Sequence, residues 1–138
     1  MAFDLDEKFL IQAEKELNIL QFPTSYRNSM MKNNGGFFEY GTEDSNDFAS
    51  FMLYPIADNS DRKRLSRTCN NVVKETKSTR ENDDFIENFI QIGDDEGAGA
   101  YYFKINEDRS VDDLIWYRMW DEDELFQVCR FSDGVCTD

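Results

Sequence analysis

The N-terminal segment spaces its apolar residues as an amphipathic helix does. The apolar residues recur at steps of three and four with Lys and Glu between them: Phe9, Leu10, Ala13 and Leu17. Asp4 followed by Glu7 has the spacing of a helix N-cap and its partner three residues later in a capping box. The pattern predicts a first helix from about Leu5 to Asn18.

A second short helix is predicted directly afterwards, within the stretch LQFPTSYRNSMMKNNGG. Pro23 suits a helix entry, and Thr24 and Ser25 carry oxygens that can cap first-turn amides. The buried stripe is expected to comprise Tyr26, Met30 and Met31. The residues expected to end the helix, because Gly and Asn tolerate the left-handed backbone of a C-cap, are Asn33, Asn34, Gly35 and Gly36.

The middle of the chain predicts two strands and a third helix. Aromatic residues over 37–41 favour a strand, and the apolar run over 48–58 favours a short edge strand that ends at Pro55. Residues 62–80 then have helical spacing, with one apolar face formed by Leu65, Cys69, Val72 and Val73. The polar stretch ENDD ends this helix.

In the last third of the chain, the spacing of apolar residues changes from that of helices to that of strands. Three short aromatic and β-branched segments begin at Phe85, Ala100 and Asp113, and polar turn clusters separate them. They predict an antiparallel meander. The C-terminal segment is compatible with another strand, a short helix or a loose tail with a turn at Asp133 and Gly134. Together the elements predict an α+β fold in which a helix hairpin and a third helix pack on a mostly antiparallel sheet.

Composition indicates one folded domain over residues 1–138. The chain is 40% hydrophobic and 14% aromatic, which is too apolar for a disordered segment. Its N-terminus places acids where a signal peptide has basic residues, and its longest apolar run, Phe51 to Ala57, is too short to span a membrane. We therefore expect a soluble, cytoplasmic protein without membrane association.

Residue types argue against most catalytic and metal chemistry. The chain has no histidine, the commonest general base and transition-metal ligand, and its three cysteines form no CxxC pair. The turn GDDEGAG lacks the Lys and Ser or Thr of a phosphate-binding loop, and it lacks the alternating ligands of a calcium loop. We expect no cofactor and no metal.

The negative charge is concentrated in the C-terminal part. Residues 1–80 are nearly neutral, whereas residues 81–138 hold 17 acids and 4 bases, a net charge of −13. Such a field repels phosphate backbones and disfavours direct nucleic-acid binding. The basic residues of the middle segment are expected to form the solvated side of a helix: Arg62, Lys63, Arg64, Arg67, Lys74, Lys77 and Arg80.

Two segments resemble the SUKH superfamily, which includes fungal cell-wall glucan synthesis regulators and many bacterial immunity proteins. The first, AEKELNILQFPTSYRNSMMKNNGG, carries the resemblance through Glu14, Leu17, Phe22, Pro23, Tyr26, Asn34, Gly35 and Gly36. The second, IQIGDDEGAGAYYFKI, does so through Ile92, Gly93, Gly97, Gly99 and Tyr102. The chain departs from the family pattern at Ala100, where many members are polar, and in its weak closing helix after Glu124.

The resemblance implies a protein-binding function, specifically an immunity protein that binds and neutralises a cognate toxin. A nuclease-type, polymorphic toxin domain presents a basic cleft, and an acidic partner is steered toward such a cleft. The acids expected on the binding face are Asp94, Asp95, Glu96, Asp112, Asp113, Asp121, Glu122, Asp123 and Glu124. The candidate aromatic anchors are Tyr101, Trp116 and Trp120, of which strand alternation must turn at least half into the core.

Two other functions stay open at this point. A regulatory scaffold of the glucan synthesis regulator type has the same fold and also binds proteins. A hydrolase using paired carboxylates is disfavoured because Asp94, Asp95 and Glu96 are consecutive in a turn and do not face one another across a substrate. We expect a non-enzymatic monomer or weak homodimer.

Overall fold

The computed structural model describes residues 3–42, 46–83 and 86–137. Within these residues the helices are α1 Glu7–Glu16, α2 Thr24–Lys32, α3 Arg62–Arg67 and α4 Val72–Asn82. The strands are β1 Phe37–Gly41, β2 Phe48–Leu53, β3 Phe89–Asp94, β4 Gly99–Ile105, β5 Val111–Met119, β6 Phe126–Arg130 and β7 Val135–Thr137. The predicted α+β class, with a helix hairpin on an antiparallel sheet, is confirmed.

All seven strands form one antiparallel sheet that curls strongly. Their order is β6-β5-β4-β3-β2-β1-β7, so β6 and β7 lie at opposite edges. In a flat sheet these edges would be about 29 Å apart, six times the interstrand spacing. Yet only a short 3₁₀ turn, Phe131–Asp133, and Gly134 connect them, a link that reaches at most about 18 Å. The curl therefore brings these ends of the two edge strands to within about 18 Å of each other and gives the sheet a concave face.

The helix hairpin packs on the concave face and builds the core there. Tyr26 of α2 is fully buried, with its ring centroid 5.3 Å from that of Phe103 and 5.4 Å from that of Phe131. Phe38 of β1 stacks on Phe131 at 4.7 Å, so the turn between the sheet edges is part of the same core. Gly134 follows this turn because a Cβ there would overlap the Phe38 ring.

A buried ion pair joins the two helices of the hairpin. The carboxylate of Glu14, only 4% exposed, accepts hydrogen bonds from Arg27 Nε at 2.9 Å and from the Phe22 amide at 2.7 Å. The bond to the amide fixes the chain just before α2 begins. Glu14 thus pairs with Arg27 and also holds the connection between the two helices in place.

The predicted caps of these helices were wrong in detail. Asp6, and not Asp4, caps α1 by accepting a hydrogen bond from the Lys8 amide at 3.0 Å. Asp4 instead pairs with Arg64 at 3.1 Å. Pro23 occupies the N-cap position of α2 without a side-chain cap, and the nearby Ser25 hydroxyl donates to Asp113 at 3.3 Å.

The end of α2 confirms the role of its two glycines. Gly35 and Gly36 have φ values of 109° and 86°, in the left-handed region, whereas Asn33 is extended. The Asn34 side chain is buried and pairs with the main chain of Ile56, donating to its carbonyl at 2.8 Å and accepting from its amide at 2.7 Å. The Asn34 side-chain amide therefore links the hairpin to the segment that follows β2.

The predicted third helix is in fact two helices. The chain breaks between α3 and α4, where the Asn71 side chain caps α4 by accepting from the Lys74 amide at 3.0 Å. Short polar side chains that bond to nearby backbone compete with helix continuation. The break leaves Leu65 55% exposed and Cys69 exposed, while Val72 and Val73 remain buried, so the predicted apolar face is only half correct.

The predicted meander of three strands is confirmed, and β2 is not an edge strand because it pairs with both β1 and β3. β2 and β3 pair only near Met52–Asp94 and Leu53–Gly93, and α4 packs against the rest of β3. There the backbone amide of Gln91 donates a hydrogen bond to the Thr76 hydroxyl at 2.9 Å. The meander's predicted start, Phe85, lies outside the described residues.

The C-terminal segment forms two strands, and this resolves the alternatives that the sequence left open. β6 adds to β5 and β7 adds to β1, so strands close the fold in place of a helix. No helix among the described residues is both long and apolar enough to cross a membrane.

Candidate protein-binding surface

Two turns at the same end of the sheet gather most of the predicted acids. The β3–β4 turn and the β5–β6 connection lie side by side, since the Trp120 amide donates to the Ala98 carbonyl at 3.0 Å. We call the acids of these two segments the acidic rim: Asp94, Asp95, Glu96, Asp121, Glu122, Asp123 and Glu124. An antiparallel meander places alternate turns at one end of the sheet, so residues about 25 positions apart in sequence become neighbours.

Within the rim, Asp94 and Asp95 organise the β3–β4 turn. Asp94 accepts hydrogen bonds from the Tyr54 hydroxyl at 2.6 Å and from the Glu96 amide at 2.9 Å. Asp95 accepts from the amides of Gly99 at 2.9 Å and Ala98 at 3.1 Å. These two carboxylates are committed to the fold as well as to the charge of the rim.

The pKa of Asp95 is lowered from its ordinary value of 3.8. Partial burial acts in the opposite direction, but the hydrogen bonds from the Gly99 amide, the Tyr117 hydroxyl and the Ala98 amide favour the ionised form and outweigh it. The Tyr117 hydroxyl lies 2.9 Å from the carboxylate. Asp95 is therefore ionised at neutral pH.

The acids from Asp121 to Glu124 differ from Asp94 and Asp95 in their surroundings. All four side chains are exposed, and none of them forms an ion pair or a hydrogen bond with another side chain among the described residues. In the described part of the chain, the backbone hydrogen bond that holds this segment is donated by the Glu122 amide to the Met119 carbonyl at 3.2 Å. Four adjacent charges are thus presented to solvent without internal neutralisation.

Asp112 and Asp113 do not join the rim. They lie at the start of β5, eight residues before Asp121, which corresponds to about 26 Å along a strand. Both pair with Arg130, at 3.0 Å and 2.8 Å, and Asp113 also accepts from the Ser132 amide at 3.1 Å. The predicted single acidic face is therefore split, and its second part holds the C-terminal turn in place.

The three candidate aromatic anchors occupy three different environments. Tyr101 is only 4% exposed, since its ring stacks on Phe51 at 3.8 Å between centroids. Trp116 is half-buried on the opposite face of the sheet, in a small cluster with Phe89. Trp120 is 43% exposed and lies beside the rim. Trp120 is thus the most exposed of the three candidate anchors.

Glycines allow strands and side chains to approach closely around the rim. A Cβ on Gly93 would overlap the Met52 carbonyl oxygen, and one on Gly99 would lie 2.7 Å from the Tyr117 hydroxyl. Gly99 thereby leaves room for Tyr117 to reach Asp95. A Cβ on Gly97 would meet no described atom within 4 Å, so space does not require a glycine there.

Sequence reasoning missed two exposed apolar residues beside the rim. Met119 is 45% exposed and Phe126 is 48% exposed, at the end of β5 and the start of β6. Both lie on the same face of the sheet as Tyr117. Phe126 is directly opposite Tyr117 on the neighbouring strand, and Met119 is two residues after Tyr117 on β5. The sequence pattern alone does not give that register.

Titratable and metal-binding groups add little further chemistry. Among the described residues, no three or more acidic or thiol side chains are grouped so as to hold a metal ion. The three cysteines are free, and burial raises the pKa of Cys129 to about 11. The surface is thus suited to noncovalent contact through charge and exposed apolar groups.

Comparison with known proteins gives one match. Residues 4–131 match the sequence profile of the SMI1 / KNR4 family (SUKH-1). Comparisons with curated proteins and with solved structures give no significant match.

Proposed function

The chain belongs to the SMI1 / KNR4 family (SUKH-1), and from that premise we propose that it is a non-enzymatic protein-binding domain. Its function is that of an immunity protein, which neutralises a basic, nuclease-type toxin by occupying the toxin's cationic surface. The acidic rim is the part of the surface that meets the toxin, and Trp120 is the aromatic side chain at its margin.

The observation that carries this proposal is the unpaired charge of Asp121–Glu124. Some acids elsewhere in the chain are neutralised internally, for example Asp112 and Asp113 by Arg130 and Glu14 by Arg27, whereas Asp121–Glu124 have no such partner among the described residues. Carboxylates that are adjacent, exposed and unpaired repel one another, and this repulsion is relieved when a cationic partner binds. The charge of Asp121–Glu124 is therefore available for binding, whereas Asp94 and Asp95 also hold their turn.

Electrostatics at such a surface act mainly on the rate of encounter. A lysine 4 Å from an exposed carboxylate gains about 1 kcal/mol in water, and salt screens this within a Debye length of about 8 Å at physiological ionic strength. Several such contacts raise the association rate strongly at low salt and much less at high salt. A fast, salt-sensitive association suits an immunity protein, which must reach its toxin before the toxin reaches nucleic acid.

The environment of the carboxylates also supports the non-enzymatic part of the proposal. Asp94 and Asp95 are held by hydrogen bonds within their own turn, and Asp112 and Asp113 share one arginine. Acid–base catalysis by a carboxylate pair needs two groups that face a common substrate with separated pKa values. These acids are instead used to fix turns and strand ends.

Co-expression tests the proposal. The toxin encoded by the open reading frame next to this gene is induced in a host cell together with the wild-type chain or with the triple variant Glu122→Gln, Asp123→Asn, Glu124→Gln. The wild type is expected to restore growth, and the variant is expected to protect at least tenfold less.

The matched control is the triple variant Glu16→Gln, Glu87→Gln, Glu107→Gln, which removes the same charge from exposed acids away from the rim. It is expected to protect like the wild type. Equal protection by both variants would refute the role of the rim. A partner that binds without being toxic would support the regulatory scaffold instead of the immunity protein.

A further inference from the structure

Three aromatic side chains form a row across the concave face beside the acidic rim. Tyr101 of β4 is directly opposite Tyr117 of β5, and Tyr117 is directly opposite Phe126 of β6. Directly opposite residues in an antiparallel pair lie on the same face of the sheet. We call this row of Tyr101, Tyr117 and Phe126 the aromatic ladder.

Exposure increases along the ladder toward the sheet edge. Tyr101 is 4% exposed and packs on the core, Tyr117 is half-buried, and Phe126 is 48% exposed. The rings of Tyr101 and Tyr117 are in contact, with centroids 4.7 Å apart. The helix hairpin covers the inner end of this face, and the outer end is left open to solvent.

Hydrogen bonds hold the inner part of the ladder rigid. The Tyr101 hydroxyl lies 2.9 Å from that of Tyr40, and the Tyr117 hydroxyl donates to Asp95 at 2.9 Å. The rings therefore keep their orientation without a ligand. A preformed aromatic surface loses little side-chain entropy when a partner binds.

The charge around the ladder is negative. Asp95 is hydrogen-bonded to Tyr117, the middle residue of the ladder, and Asp121–Glu124 lie in the connection just before the strand that carries Phe126. The cation–π contacts that the described residues make are at Phe3 and Phe9, neither of which belongs to the ladder. No positive side chain of the chain itself is seen to occupy these ring faces among those residues.

We propose that the aromatic ladder binds an arginine or lysine side chain of the protein partner, whose charged end reaches the carboxylate of Asp95. The stem of such a side chain packs on Phe126 and Met119, and its cationic head lies over the Tyr117 ring. This inference rests on the proposed function, because it assigns one specific contact within the same binding surface. Cations are attracted to aromatic faces, and a neighbouring carboxylate strengthens the preference for a charged head group.

A pair of short peptides tests the ladder without any toxin. Acetyl-Gly-Arg-Gly-amide is titrated into the protein at constant ionic strength, and backbone amide shifts are followed by NMR. The matched probe is the same peptide with citrulline, which has the shape of arginine but no charge. Saturable shifts at Tyr117 and Phe126 with the arginine peptide, and shifts at least fivefold smaller with citrulline, are the expected result.

Three variants locate the contact. Phe126→Leu keeps an apolar side chain but removes the ring, and it is expected to weaken binding about threefold. Asp95→Asn keeps an acceptor for the turn amides but removes the charge, with a similar expected loss. The control Phe48→Ala removes an aromatic ring that is 70% exposed on the other face of the sheet, and it is expected to change nothing.

The outcomes separate this inference from the proposed function. Equal shifts with both peptides, or arginine-dependent shifts confined to Asp121–Glu124 and unchanged by Phe126→Leu, would overturn the ladder. The absence of any shift even at a large molar excess of peptide would overturn it as well. In each case protection against the toxin, which is measured by co-expression, still reports on the rim.

Discussion

Replacing Glu14 tests how far the helix hairpin depends on one buried carboxylate. In Glu14→Ala the Arg27 guanidinium loses its bonds at 2.9 and 3.3 Å, and the Phe22 amide loses its acceptor at 2.7 Å. Removing one partner of a buried ion pair costs about 3–5 kcal/mol because the other charge stays buried. Arg27 keeps its bond to the partly exposed Glu7, so we expect the lower end, about 3 kcal/mol.

Urea unfolding followed by circular dichroism measures this loss. The double variant Glu14→Ala, Arg27→Met removes the orphaned charge and leaves only the unpaired amide, which costs about 1–3 kcal/mol. It is therefore expected to be more stable than Glu14→Ala alone. The exposed Glu16→Ala, two residues away, serves as control and is expected to change the free energy of unfolding by less than about 0.5 kcal/mol.

The result that would refute the reasoning is a cost below about 1 kcal/mol for Glu14→Ala, or a double variant that is less stable than the single one. Either would mean that the ion pair is not what holds the two helices in register. The packing of Tyr26 on the sheet would then account for the hairpin by itself.

The remaining predictions concern the sheet and its titrating groups. Gly93→Ala is expected to lower stability by about 2–3 kcal/mol in thermal melting, since its Cβ would overlap a backbone oxygen and an aromatic ring, whereas Gly97→Ala is expected to be neutral. Iodoacetamide at mildly alkaline pH is expected to alkylate the exposed Cys69 well before Cys129, whose raised pKa of about 11 leaves little thiolate; equal rates by mass spectrometry would count against this. Folding lowers the pKa of Asp95, so the ionised carboxylate adds to the free energy of unfolding above pH 3.8, and this stabilisation is lost as the pH falls through the folded-state pKa. The difference in free energy of unfolding between wild type and Asp95→Asn, measured by urea unfolding at several pH values, should therefore shrink in acid. A difference that stays constant with pH would contradict this.

The local parts of the fold were predictable from sequence. The hairpin depends on helical spacing and on the left-handed backbone at Gly35 and Gly36, both of which are properties of a few consecutive residues. The three-strand meander follows in the same way from turn clusters between aromatic segments. Where a local prediction was wrong, two nearby residues could fill the same role and the pattern did not distinguish them. An example is the N-cap of the first helix, for which both Asp4 and Asp6 are suitable.

The parts that were not predictable depend on contacts between distant segments. β2 becomes an internal strand because β3 pairs with its last residues, whereas Pro55 in the sequence favours an edge strand. The break before Val72 arises where Asn71 starts a new helix, although the apolar spacing continues across it.

The proposed binding surface also depends on contacts that the sequence does not give. The acids of the rim and the pair Asp112 and Asp113 look alike in sequence, and only the strand register shows that Arg130 neutralises the second group. Tyr101, Tyr117 and Phe126 likewise become one row only when β4, β5 and β6 are aligned. Charge density was visible in the sequence, but its division into structural and available carboxylates was not.

The association rate of the chain with the proposed toxin partner, measured by stopped-flow tryptophan fluorescence as a function of salt, tests the rim most directly. We predict that the wild type and the control Glu16→Gln, Glu87→Gln, Glu107→Gln both slow steeply as NaCl is raised from well below to well above physiological ionic strength. The variant Glu122→Gln, Asp123→Asn, Glu124→Gln should start slower and depend much less on salt. Identical salt dependence for all three proteins would contradict the claim that these carboxylates form the binding surface.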